Sequence, residues 1–120
     1  MEKKTLVIGA SENPARYSNL AVKSLLSHHH PVVAIGKTNG TIDNVPIDTE
    51  KKSFTDIDTV TLYLNPLNQR EYYNYILSLH PKRIIFNPGA VNAELSDLAH
   101  QNGIPTMEAC TLVLLSTGQF

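Results

Sequence analysis

The chain contains a single cysteine, Cys110, among its 120 residues. One thiol excludes an internal disulfide framework and fits a reducing compartment. Charge of either sign is not in excess: ten Lys and Arg stand against eleven Asp and Glu, for a net charge of −1. A nucleic-acid binder normally carries a basic patch and a high pI, and neither is present. Long apolar runs are also missing. The longest are Leu112–Leu115 and Val32–Ile35, far below the roughly 20 residues of a membrane span. Residues 1–8 set charge beside only four apolar-type positions, too few for a signal-peptide core. These absences lead us to expect a cytoplasmic protein. The rest is ordinary for a folded chain, 42% hydrophobic and 18% charged. The length suits one domain over residues 1–120.

Several catalytic signatures are missing as well. The sequence shows no Ser-His-Asp arrangement, paired carboxylates or G-x-x-x-x-G-K-[ST] phosphate loop. The dinucleotide fingerprint G-x-G-x-x-G is incomplete: Gly9 is present, but Ser11 takes the second glycine's place and Pro14 the third's. A side chain at position 11 would crowd a pyrophosphate lying on the backbone. An acid that would hold the ribose hydroxyls of NAD should end the second strand. Here that stretch reads Gly36-Lys37-Thr38-Asn39, and the next acid is Asp43. A lysine there favours a ribose that carries a phosphate, as in the 3′-phospho-ADP part of coenzyme A or the 2′-phosphate of NADP.

What is present is an alternation of strand and helix signals. Thr5–Ile8 is a short, continuously apolar strand of the kind covered on both faces. It runs into Gly9-Ala10-Ser11, and a helix pattern follows over Ser18–Ser27, with Ala21, Val22, Leu25 and Leu26 inward and Asn19, Lys23 and Ser27 off that face. A strand, a tight turn and a helix N-terminus together favour phosphate, because the first-turn N–H groups lack partners and the dipole is positive there. Arg16 adds a planar cationic donor, and Ser11 and Ser18 add hydroxyls.

Pro31 stops the helix, and Val32–Ile35 reads as the second strand. Gly36–Ser53 reads as an irregular crossover with one extended piece near Ile42–Ile47. Thr59–Leu64 is the third strand, and Asn65-Pro66 opens a helix running Leu67–Leu79 with Tyr72, Ile76 and Leu79 inward. Arg83–Phe86 is the fourth strand, ending in the Asn87-Pro88-Gly89 turn. Asn92 caps the next helix, and Gly103 follows it. Ile104–Glu108 is the fifth strand, and Thr111–Leu115 a last helical turn. The expected fold is α/β: a Rossmann-like three-layer α/β/α sandwich around a mostly parallel five-stranded sheet. Ligands of such sheets bind beyond the carboxyl ends of the strands.

The motif Gly9-Ala10-Ser11-x-x-Pro14-x-Arg16-x-Ser18 resembles the opening of the small stand-alone CoA-binding domain proteins. These in turn look like the N-terminal CoA-binding domain of the succinyl-CoA synthetase alpha subunit. The resemblance runs nearly end to end, through Asn65-Pro66, Asn87-Pro88-Gly89 and Glu108-Ala109-Cys110. It implies a Rossmann-like fold binding CoA or acyl-CoA at the strand carboxyl ends. On this reading Gly9, Ala10, Ser11, Pro14, Arg16 and Ser18 form the phosphate turn. Lys37 sits near the ribose phosphate. Leu64, Asn65 and Pro66 flank the adenine or the pantetheine arm, and Asn87, Pro88 and Gly89 the arm. Many relatives carry a Pro-Val-Asn-Pro-like segment after the second strand, where this chain has Ala34-Ile35-Gly36-Lys37. The synthetase's phosphohistidine segment lies outside the matched region, so ligase activity is not implied.

The expectation is therefore a CoA-binding module without evident catalytic residues, with homodimerisation left open. The alternative is an NADP-type redox or sensor domain; a third is an interaction domain whose site has decayed. Cys110 reads either as an inert buried thiol or as a group near the end of the pantetheine arm. His28-His29-His30 is not a metal site, since three consecutive residues at a helix end point in different directions. For the same reason Tyr72, Tyr73 and Tyr75 do not form a base-stacking platform. His80 and His100 fall at the amino edge of the sheet, away from the expected site.

Overall fold

Two strands buried along their whole length, β1 (Thr5–Ile8) and β5 (Thr59–Leu62), form the middle of the sheet. The computed structural model describes residues 2–120. Around this pair lie β2 (Val32–Ile35), β6 (Arg83–Phe86) and β7 (Thr106–Glu108), all parallel to their neighbours. Beyond β2 come β4 (Val45–Asp48) and then β3 (Gly40–Ile42). The full order is β3-β4-β2-β1-β5-β6-β7. Successive side chains point to opposite faces of a strand. Leu6 and Ile8 accordingly enter one core with Val60, Leu62 and Ile84, while Val7 enters the other with Ala34 and Ile47.

Helices cover both faces. α1 (Tyr17–Ser27) and α5 (Thr111–Ser116) contribute Val22, Leu25 and Leu115 to the second core. On the other face α2 (Pro66–Gln69), a 3-10 turn (Arg70–Tyr72) and α3 (Tyr73–Ser78) precede β6. There α4 (Ala93–Gln101) packs Leu95 and Ala99 against Leu62 and Phe86. This is a Rossmann-like α/β arrangement in three layers. Each fully buried Leu or Ile in these cores contributes roughly 1.5–3 kcal/mol relative to exposure.

The sheet has seven strands, not five. The stretch read as an irregular crossover holds an antiparallel hairpin, with Ile42 opposite Val45 and Thr41 opposite Pro46. Its two-residue turn is Asp43-Asn44, at φ 46° and 70°. Positive φ at both positions is the type I′ geometry that matches strand twist, and Asp and Asn are the side chains that tolerate it. The helix expected over Leu67–Leu79 is likewise broken into α2, the 3-10 turn and α3. Within it Ile76 is buried, while Tyr72 and Leu79 are half-buried. Asn19, expected off the inward face of α1, is buried, because its Nδ2 donates to the Ser11 carbonyl at 2.9 Å.

The caps follow the sequence signals. Asn65 Oδ1 accepts from the Asn68 N–H at 2.9 Å, and Asn92 Oδ1 accepts from Leu95 at 3.2 Å. Gly103, at φ 74°, takes the left-handed position after α4.

Candidate functional site

The turn after β1 is built by its own hydrogen bonds. Gly9 sits at φ 97°, and a Cβ there would lie 3.1 Å from the Tyr63 carbonyl carbon and 3.2 Å from Leu64 Cδ2. Glycine thus lets the chain pass close under the end of β5. The Gly9 and Ala10 amides both donate to the Ile35 carbonyl, at 2.9 and 3.0 Å. Ser11 Oγ accepts from the Asn13 N–H at 3.1 Å, which leaves its own O–H free to donate. Asn13 in turn accepts from the Ala15 and Arg16 amides, both at 3.0 Å.

This loop delivers α1 with its first turn open. Arg16 is the N-cap residue, and no side chain caps the helix. Among the described residues the Tyr17 and Ser18 amides find no acceptor. Two N–H groups without acceptors and the positive end of an 11-residue helix therefore lie together. They open onto a cleft of about 710 Å³ across the carboxyl ends of β2, β1, β5 and β6. Its walls carry Gly36, Lys37 and Thr38 after β2 and Gly9, Ala10, Ser11 and Ala15–Ser18 after β1. Tyr63, Leu64, Asn65, Asn68, Glu71 and Tyr72 line it after β5, and Pro88 after β6.

Charge is uneven along the cleft. Arg16 and Lys37 are exposed, and neither belongs to an ion pair among the described residues, where the pairs are Lys52–Asp48 and Arg70–Glu94. Glu71 is the one acid in the lining. Two unpaired cations beside two free amides make the β1–β2 side a place for an anion. Tyr63 lines the cleft, but its hydroxyl is buried and makes no hydrogen bond. Burial pushes its pKa up to about 12, an effect only partly offset by the neighbouring Thr111 and Thr61 hydroxyls. It therefore stays a neutral phenol.

Of the residues singled out from the sequence, the structure brings Gly9, Ala10, Ser11, Arg16, Ser18, Lys37, Leu64, Asn65 and Pro88 into the cleft lining. Pro14 and Gly89 on the adjoining loops and Pro66 at the start of α2 are exposed, outside the lining. Asn87 is placed behind the cleft, 1% exposed. Its Nδ2 donates to Thr61 Oγ1 at 2.6 Å and to the Leu62 carbonyl at 2.9 Å, and its Oδ1 accepts from the Thr111 N–H at 2.9 Å. Both polar atoms of that side chain are engaged within the protein. Cys110 is half-buried as the N-cap residue of α5, outside the lining.

Gly36 and Thr38 belong to a strand end that the sequence placed on the ligand face without assigning them a contact. Sequence reasoning missed Ala15, Tyr17, Tyr63, Asn68, Glu71 and Tyr72. Glu71 and Tyr72 face the cleft from the 3-10 turn, which no local pattern announced. The three neighbouring tyrosines diverge. Tyr72 lines the cleft, Tyr73 accepts from Asn92, and Tyr75 donates to the Lys52 carbonyl at 2.6 Å. The three histidines also diverge. The His28 ring meets the Ser24 carbonyl at 2.7 Å, His29 turns at φ 66°, and His30 packs on Phe120 with ring centroids 4.9 Å apart. His80 lines a separate depression near Asp56, Asp58 and Lys82.

Fold and cleft together define a Rossmann-like α/β protein with an open cleft across the carboxyl ends of its strands. The chain matches the CoA binding domain family over residues 3–116 and belongs to it. Membership supports CoA binding as the general property of the chain. A crystal structure of an uncharacterized protein is 48% identical, with a TM-score of 0.98, covering 100% of this chain and 99% of that one. A hypothetical protein from Pyrococcus horikoshii OT3 is 24% identical, with a TM-score of 0.87, over 97% of this chain and 83% of that one. The dinucleotide forming acetyl-coenzyme A synthetase 1 of Ca. Korarchaeum cryptofilum, solved with phosphate and ADP, shares the fold at 16% identity. Its TM-score is 0.73, covering 89% of this chain and 25% of that one. No curated protein matches the chain.

Proposed function

We propose that residues 1–120 act as one CoA- or acyl-CoA-binding module that holds its ligand without chemistry of its own. The observation that carries this reading is the uncapped N-terminus of α1. The free Tyr17 and Ser18 amides and the unpaired Arg16 open together onto the cleft. Backbone amides and a planar guanidinium suit the pyrophosphate oxygens, and the free Ser11 O–H adds a donor. Lys37, across the cleft on the β2 side, suits the 3′-phosphate of the ribose. The half-apolar wall of Leu64 and Tyr72 suits uncharged parts of the ligand. The single cysteine supports a cytoplasmic setting.

Calorimetric titration of CoA, NADP and NAD into wild type and Arg16→Ala tests the reading. It requires CoA to bind wild type and to lose at least about tenfold in affinity without the guanidinium, the loss of a charge-assisted contact. Binding of NADP in preference to CoA would move the assignment to a redox or sensor domain sharing the same turn and Lys37.

A further inference from the structure

Two loops that face the cleft meet at one buried side chain. Gln69, at the end of α2, is fully buried. Its Nε2 donates to the Leu64 carbonyl at 2.8 Å and to the Ala90 carbonyl at 2.7 Å, and its Oε1 accepts from Asn92 Nδ2 at 2.9 Å. Leu64 lines the cleft after β5. Ala90 stands two residues beyond Pro88, which lines it after β6. Asn92 is itself anchored, donating to the Tyr73 hydroxyl at 2.8 Å and capping α4. The bonds tie the loop after β5 to the loop after β6 through one amide. Only an amide of this reach supplies two N–H donors and an acceptor from one terminus. The helix changes to a 3-10 turn directly after Gln69, and that turn presents Glu71 and Tyr72 to the cleft.

We propose that Gln69 is a positioning residue that never touches the ligand and sets the gap between the β5 and β6 loops, and with it the fit of the cleft around CoA. The inference rests on the reading that this cleft takes CoA. Buried polar groups left without partners are costly, so the loops hold this spacing only while all three bonds persist.

Gln69→Glu keeps size and shape but changes the chemistry. An ionised carboxylate has no donor for the Leu64 and Ala90 carbonyls, whereas a protonated one regains a single O–H. Burial favours the protonated form as pH falls. The partners of residue 69 carry no charge, and Tyr73 is the one titratable group in the network. On the same segment, Arg70 pairs with Glu94 and Glu71 faces the cleft.

The measured quantity is the ratio of the variant's Kd for CoA to that of wild type, which cancels the ligand's own titration. The expected ratio is about tenfold or more at pH 9.5, above the raised pKa of a buried carboxyl, and below about threefold at pH 5.5. A ratio near one at both pH values overturns the proposal. So does a large ratio that ignores pH, the mark of a merely structural role. Amide exchange without ligand gives an independent readout. Protection factors at Asn68 and Ala90, whose N–H groups bond Asn65 Oδ1 at 2.9 Å and the Asn87 carbonyl at 2.8 Å, should fall in the variant at pH 9.5 and recover at pH 5.5. If wild type binds no CoA, the functional reading fails, and unchanged protection factors would separately sink the role of Gln69. Should Gln69→Glu not fold, Tyr73→Phe removes only the outer bond to Asn92. It should raise Kd about two- to threefold, and no rise would overturn the proposal.

Discussion

A Cβ on Gly36 would overlap the Ala10 carbonyl oxygen, and it would also lie 2.9 Å from Ile47 Cγ2. The end of β2 and the turn after β1 approach each other closely enough that only glycine fits between them. The Ala10 carbonyl is backbone and cannot rotate away as a side chain could. Gly36→Ala should therefore push the turn outward, costing roughly 1–3 kcal/mol, as overpacking does. Thermal unfolding should show the loss. CoA affinity should fall in the folded fraction too, because the displaced turn carries Ser11 and Arg16. Unchanged affinity would mean that the turn adapts without consequence.

Lys37 stands alone on the β2 side of the cleft. If it meets the 3′-phosphate, wild type should bind CoA more tightly than 3′-dephospho-CoA by about fivefold, the scale of an exposed ion pair. Lys37→Ala should erase that difference and leave 3′-dephospho-CoA binding unaltered. A difference that survives the substitution would place the phosphate elsewhere.

Asn87 was legible as a turn residue beside the ligand, and the structure gives it three buried hydrogen bonds instead. Asn87→Leu should cost roughly 2–4 kcal/mol in chemical denaturation, because the Thr111 N–H and the Leu62 carbonyl lose a partner. If the variant loses CoA affinity while keeping wild-type stability, the residue acts on the ligand after all.

His30 gives the fold a pH dependence. Its Nδ1 accepts from the Lys3 N–H at 3.0 Å, which requires that nitrogen to be unprotonated. Burial lowers its pKa from 6.5, and the charges of His28, Lys3 and Arg83 act in the same direction. Between the lowered value and 6.5 the unfolded chain binds more protons than the folded one, so stability rises with pH in that window. The contribution is whole above about pH 6.5 and is lost as pH falls through the folded-state pKa. Denaturation midpoints from pH 7.5 to 5 should decline more in wild type than in His30→Asn, which keeps an acceptor and does not titrate. Equal slopes would remove His30 from the account.

Much of the architecture is readable in the sequence, for reasons that can be traced to particular residues. Thr5–Ile8 and Thr59–Leu62 are buried on both faces, so they appear as unbroken apolar or β-branched runs. Asn65-Pro66 and Asn92 announce helix starts because their side chains cap them. The β3–β4 hairpin was not readable in the same way. Its turn is Asp43-Asn44, without glycine, and its strands are short, with an exposed proline at position 46. The turn that opens onto the cleft was legible because Gly9, Ser11 and Arg16 lie within eight residues of one another. The wall opposite depends on Gln69 bonding to residues 64, 90 and 92, a tertiary arrangement invisible to any local pattern.

If the α1 N-terminus holds the ligand's phosphates, the amides of Tyr17 and Ser18 report on it directly. Titration of the isotope-labelled protein with CoA, followed by amide NMR, should move both signals strongly downfield as their N–H groups gain acceptors. Arg16→Ala should weaken the binding that drives the change. CoA binding that shifts other cleft residues while leaving Tyr17 and Ser18 in place would contradict the account.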